Sequence, residues 1–93
     1  MVSTRRRFRW DATKARQNRA KHGVAFQEAT TVFMDSLASI LDDQALPGRE
    51  AIVGESLAGR VLYVVFVETE HGVRILSARR ATRKERKHHE EGA

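Results

Sequence analysis

Residues 60–69, Arg-Val-Leu-Tyr-Val-Val-Phe-Val-Glu-Thr, constrain the fold more than any other stretch of the chain. In an extended segment successive side chains point to opposite faces. Val61, Tyr63, Val65 and Val67 then share one face, and Leu62, Val64 and Phe66 share the other. A strand apolar on both faces must be covered on both, which makes it the centre of a sheet. Turn signals bracket it, Ala58-Gly59 before and His71-Gly72 after, and strand-like runs lie beyond them at 49–56 and 73–78. Connections this short force antiparallel pairing, so the second half of the chain reads as a meander. Ninety-three residues make one domain, 1–93, whose core is adequate but without surplus.

Helices precede the meander. Asp11 is a good N-cap, and residues 12–22 lack Pro, Gly and β-branched residues except Thr13. Gly23 is placed to close that helix in the left-handed conformation. At 100° per residue Lys14, Asn18, Lys21 and His22 fall within one arc, either plain solvated surface or one wall of a site. Phe26, Ala29, Thr30 and Phe33 recur at helical spacing, giving a second, short helix over 26–34 whose aromatics belong to the core. Phe8 and Trp10 alternate with arginines in a short edge strand, residues 1–7 read as a flexible basic arm, and 37–41 reads as a strand.

Charge is segregated along the chain. Residues 1–24 hold eight Lys/Arg against one acid, 25–72 two against eight, and 73–93 seven against three; +7, −6 and +4 sum to the formal +5. Two basic ends around an acidic middle give one positive face if the ends meet, the footprint of a polyanion binder. With no cysteine, disulfides and thiolate metal sites are excluded and a reducing cytoplasm is the expected location. No apolar run approaches membrane-spanning length. Asp42 and Asp43 lack further ligands at metal-binding spacing, so no metal or other cofactor is expected.

The chemistry concentrates in residues 75–85, Ile-Leu-Ser-Ala-Arg-Arg-Ala-Thr-Arg-Lys-Glu. The stretch reads as strand, two-arginine loop and helix start, because Thr82 and Glu85 have capping-box spacing. A helix N-terminus beside two guanidiniums suits a phosphate; solvated surface charge is the alternative. Residues 83–91 contain no apolar side chain, so the last helix is expected to be loosely held. The resulting fold class is α+β, an antiparallel bent sheet with two N-terminal helices and a C-terminal helix, in the order β-α-α-β-β-β-β-α, the helices packed on one side.

Two runs carry a family resemblance. Trp10-Asp11-x-x-Lys14-x-x-x-Asn18-x-x-Lys21-His22-Gly23-Val24-x-Phe26 resembles the signature of the BrnT toxins. Ile75-Leu76-Ser77-Ala78-Arg79-Arg80-Ala81-Thr82-x-x-Glu85 is similar to that family's second signature, and Gly54, Gly59-Arg60 and Phe66 fit between them. The resemblance implies a RelE-like fold and a ribonuclease that arrests translation. It also implies neutralisation by a BrnA-type ribbon-helix-helix antitoxin in a two-plus-two assembly that reaches operator DNA through the antitoxin. His89 departs from the pattern, standing where the family carries a tyrosine, and the arm before Phe8 lies outside it.

Metal-independent RNA cleavage by transesterification needs a base for the 2′-hydroxyl, positive charge for the pentacoordinate phosphate and an acid for the leaving oxygen. Arg79 and Arg80 are the candidates for the phosphate. Arg60 either reaches the same face or makes a surface ion pair. Glu55 is a general base only if burial raises its pKa, and otherwise a solvent-facing acid. His22 suits acid–base work at neutral pH, or complements a helix dipole. Lys14 either holds a phosphate or covers the helix, and Glu85 is explained by capping alone. Lys21, Arg83 and His89 complete the set as substrate contacts. The competing function is a non-catalytic nucleic-acid-binding module or corepressor subunit, in which the same cations grip phosphates without chemistry.

Overall fold

The computed structural model describes residues 7–43 and 47–91. The elements run β1 Phe8–Arg9, α1 Ala12–His22, α2 Phe26–Thr31 with a 3₁₀ turn Val32–Met34, β2 Ser39–Asp42, β3 Glu50–Glu55, β4 Val61–Thr69, β5 Gly72–Arg80 and α3 Arg83–Glu90. This is the expected β-α-α-β-β-β-β-α order. Apart from Arg7, the arm expected to be flexible lies outside the described residues, as does part of the loop after Asp43.

The sheet order is β1-β5-β4-β3-β2, with β4 in the middle as its two apolar faces required. Strands β2 to β5 form the antiparallel meander. β1 joins parallel to β5, so the sheet is mixed rather than wholly antiparallel. The reason is topological: α1 and α2 lie between β1 and the meander, and only a tight hairpin forces an antiparallel neighbour.

One face of the sheet, with Ile52, Leu62, Val64, Phe66, Ile75 and Ala78, packs against Val24, Phe26, Ala29 and Val32. Leu62, Val64 and Phe66 are fully buried, each stabilising the fold by about 1.5–3 kcal/mol. Phe33 meets Phe8 and Phe66 at ring-centroid distances of 5.1 and 5.0 Å, which fastens β1 and the 3₁₀ turn to this core. Gly54 is required here by space. A Cβ at that position would lie 2.8 Å from Ala38 Cβ and 3.0 Å from Val32 Cγ1, inside van der Waals contact.

The second face carries Val53, Tyr63 and Arg79 side by side, since they are cross-strand partners. A bulge determines that placement. Val65 pairs with Ser77 and Phe66 with Ile75, leaving Leu76 without a partner on β4. The extra residue reverses the alternation of β5 beyond it. Ala78 and Arg80 therefore face the α1–α2 side and Arg79 the other. Two expectations are corrected. The arginine pair is the end of β5 rather than a loop, and its members point to opposite faces.

The third correction concerns α3. It borders the second face, so the helices do not all pack on one side; Glu85 of α3 binds Arg79 there. Nor is the helix loosely held. The capping box is complete, Glu85 N–H donating to Thr82 Oγ1 at 3.1 Å and Thr82 N–H to Glu85 Oε1 at 2.8 Å. At the other end His89 is buried and its Nε2 lies 2.8 Å from Asp35 Oδ2. Polar anchors at both ends replace the apolar face that the helix lacks.

Candidate nucleic-acid interface

Asn18 organises the first half of the site. It is the one buried residue of α1, and its Nδ2 donates to Val24 O at 3.0 Å and Ala78 O at 2.8 Å. Its Oδ1 accepts the Ala78 N–H at 3.1 Å. Beyond Arg74, β5 has no β1 partner, and Asn18 supplies the missing hydrogen bonds from a side chain. The polar arc of α1 is thereby brought against β5. Lys14, Gln17, Lys21 and His22 line a groove of about 290 Å³ with Leu76 and Ser77 of the bulge. The ends of α1 are set by the residues expected. Asp11 accepts the Lys14 N–H at 2.9 Å, and Gly23 closes the helix at φ 70°, a conformation that favours glycine.

Every ionisable side chain in this groove is basic: Lys14, Lys21 and His22. The lysines are exposed and His22 is half-buried. Arg80 is exposed and lies on the same side of β5 as Ala78, the residue that Asn18 holds. None of these four side chains has a hydrogen bond or ion pair with another described residue. The groove is thus a positive site whose charges are not neutralised.

Arg79 has a different setting. Its Nη1 and Nη2 bind Glu85 Oε1 and Oε2 at 2.9 and 3.0 Å, and its guanidinium lies 4.1 Å from the centre of the Tyr63 ring. The guanidinium and the Thr82 N–H hold the Glu85 carboxyl below its usual range despite partial burial. Burial pushes the Tyr63 phenol up, with the Asp43 carboxylate adding and Arg79 opposing. Arg79 and Arg80 therefore do not converge on one phosphate.

The remaining candidates are dispersed. Arg60 binds Glu28 through Nε at 3.0 Å and Nη2 at 2.5 Å, and Nη2 also donates to Gly23 O at 3.2 Å. It ties β4 to α2 and to the end of α1, the ion-pair alternative. Glu55 is exposed at the end of β3, and its backbone N–H donates to Asp35 Oδ2 at 2.7 Å. Arg83 is exposed in the first turn of α3. His89, expected as a substrate contact, is buried with Nε2 paired to Asp35. Glu28, Asp35 and Tyr63 were not singled out from the sequence. Their partners lie 32, 54 and 16 residues away (60 − 28, 89 − 35 and 79 − 63), and no local spacing signals them. Asn18 did carry a signal, as an amide in the middle of an otherwise unbroken helix, a residue type that usually favours caps and turns.

Among the described residues no group of three or more His, Asp or Glu side chains could hold a metal ion. No helix among them is long and apolar enough to cross a membrane.

Comparison with solved structures gives a match to the crystal structure of the Brucella abortus ribonuclease toxin BrnT. The TM-score is 0.65 at 23% sequence identity, over 80% of this chain and 94% of that one. At that identity the likeness concerns the fold, and it bears out the architecture expected from the two motifs. No curated protein sequence matches the chain. The profile of the family described as "Ribonuclease toxin, BrnT, of type II toxin-antitoxin system" matches residues 10–85. That span runs from Trp10 through α1, the whole sheet beyond β1 and the Thr82–Glu85 cap, and the chain therefore belongs to the BrnT ribonuclease toxins of type II toxin–antitoxin systems.

Proposed function

We propose that the groove between α1 and β5 is where this toxin cleaves RNA, by metal-independent transesterification. The observation that carries the reading is that Lys14, Lys21 and His22 line one groove with no acidic residue among them. RNA is the substrate class because the chain is a ribonuclease toxin. In the proposed reaction His22 takes the proton from a ribose 2′-hydroxyl, which attacks the adjacent phosphorus. Lys14 and Lys21 hold the phosphate, and Arg80 adds positive charge as the pentacoordinate species forms. The 5′-oxygen leaves with a proton from one of the ammonium groups, and a 2′,3′-cyclic phosphate remains. Arg79 acts from the other face as a contact to the RNA backbone beyond the cleaved bond. Glu55, Arg60 and Arg83 have no step assigned to them.

Cleavage of this kind in the cytoplasm would arrest translation. A type II toxin has a cognate antitoxin. We place a BrnA-type ribbon-helix-helix protein in that role, in a two-plus-two assembly that binds operator DNA through the antitoxin. The test of the chemistry is incubation of pure protein with a short RNA in EDTA. The proposal expects products ending in 2′,3′-cyclic phosphate, and no cleavage where the 2′-hydroxyl is replaced by hydrogen. RNA retained by the protein but uncut under these conditions, and cut after divalent metal is added, would contradict metal independence. RNA retained and never cut would favour the non-catalytic binder.

A further inference from the structure

The second face of the sheet holds a recess that the cleavage groove does not use. Its volume is about 730 Å³, and Leu41, Val53 and Tyr63 give it an apolar floor. Lys84 and His88 of α3 line it from the helix side, with Ser39 at the edge strand. We infer that this recess is a subsite for one nucleobase of the bound RNA, an inference that rests on the proposal that RNA is the substrate.

Four features point to that occupant. The size lies within the range of small-ligand pockets, about 300–1,000 Å³, and a floor of aliphatic and aromatic side chains with a few polar groups is their usual composition. Tyr63 offers a π-surface, and bases bind such surfaces through their own faces. Lys84 and His88 line the recess beside Glu85, whose carboxylate is taken by Arg79, and Lys84, with no ion pair among the described residues, is the cation that suits a base carrying a phosphate. The recess also lies across β5 from the proposed cleavage site, and no residue lines both. Ser77, which lines the groove, shares the second face of the sheet with Arg79 and Tyr63. A strand of RNA leaving the groove over β5 passes Arg79 before reaching the recess.

One wall contains an unsatisfied group. His89 lines the recess with its Nε2 engaged by Asp35, while its Nδ1 is buried with no hydrogen-bond partner. Buried polar atoms are nearly always paired. In a neutral ring that gives Nε2–H to the carboxylate Nδ1 is an acceptor, in a protonated ring Nδ1–H is a donor, and the edge of a base carries a group that completes either.

The test uses the full chain and a short RNA that is 2′-O-methylated throughout and so cannot be cleaved by attack of the 2′-oxygen. Each position in turn is made abasic, and binding is followed by fluorescence anisotropy. The inference predicts one position at which removing the base weakens binding about 5- to 100-fold, the range for loss of one stacked base. It also predicts that this position-dependence disappears in Ser39→Phe, which fills the recess from a half-buried edge position, and in Tyr63→Ala, which removes its aromatic floor. Equal binding of all the abasic RNAs to the wild-type protein would overturn it. So would a position-dependence unchanged in both folded variants. Because this probe is not cut, the outcome is independent of the cleavage assay, in which intact natural RNA would count against the proposed reaction alone.

Discussion

Asn18 joins three parts of the chain through one side chain: α1, the turn at Val24, and β5 at Ala78. Removing it leaves the Ala78 N–H and C=O and the Val24 C=O without partners in a buried site, and each such group costs about 1–3 kcal/mol. Asn18→Ala is therefore expected to destabilise the fold by about 3 kcal/mol or more in urea unfolding. It should also open the groove and reduce cleavage, because Lys14, Lys21 and His22 are placed by the same helix. A change below about 0.5 kcal/mol, the level of an ordinary surface substitution, would show that Asn18 does not bracket these segments. At this scale the two signature runs mix roles. Asp11, Asn18, Gly23, Phe26 and Thr82 build the structure, whereas Lys14, Lys21, His22 and Arg80 have no structural partner among the described residues.

At the scale of elements, α3 depends on carboxylates. Hydrogen bonds from Arg79 hold Glu85 below its ordinary 4.5, and bonds from Arg60 do the same for Glu28. Burial acts to raise Asp35, but the Glu55 and Leu37 N–H groups and His89 outweigh it and the net shift is down. A carboxyl whose folded pKa is lowered binds fewer protons in the folded state than in the unfolded one. Its contribution is complete above the unfolded value and is lost as pH falls through the folded value. The contribution of these carboxylates to stability should therefore be complete above the ordinary carboxylate range and be lost progressively as the pH falls below it. Because Glu85 and Asp35 anchor the two ends of α3, the amides of that helix are expected to lose hydrogen-exchange protection earlier in the acid range than those of β4. Glu85→Gln should weaken the pH dependence of that loss. Protection of α3 that tracks β4 at every pH would contradict the polar anchoring.

On the scale of the whole molecule, the sheet was legible where periodicity was unambiguous. The two apolar faces of residues 61–67 required a central strand, and β4 is central. Capping chemistry located α1 and α3 within a residue. The parallel placement of β1 was not legible, because two residues carry no register. The candidate site is less legible for two physical reasons. A single bulged residue, Leu76, changes which face each later residue of β5 occupies, and alternation counted from the sequence cannot detect it. Arg79 and Arg80 can meet one phosphate only if they form a loop; as adjacent strand residues they face opposite sides, and Arg79 goes to Glu85. The two basic ends do not form the one positive face expected of them if they met. α1 packs on one side of β5, and α3 borders the other face of the sheet, where Glu85 binds Arg79.

The central claim is that the reaction belongs to the α1 side of β5. The most direct measurement is the single-turnover cleavage rate of one short RNA by wild-type protein and by His22→Ala, Lys14→Ala and Arg79→Ala, each shown to be folded. The account predicts that His22→Ala lowers the rate about 10²–10⁴-fold and Lys14→Ala about 10²–10³-fold. Arg79→Ala, which acts on binding, should leave the rate at saturating protein within about threefold of wild type. Full activity of His22→Ala and Lys14→Ala beside an inactive Arg79→Ala would contradict the account and move the chemistry to the opposite face.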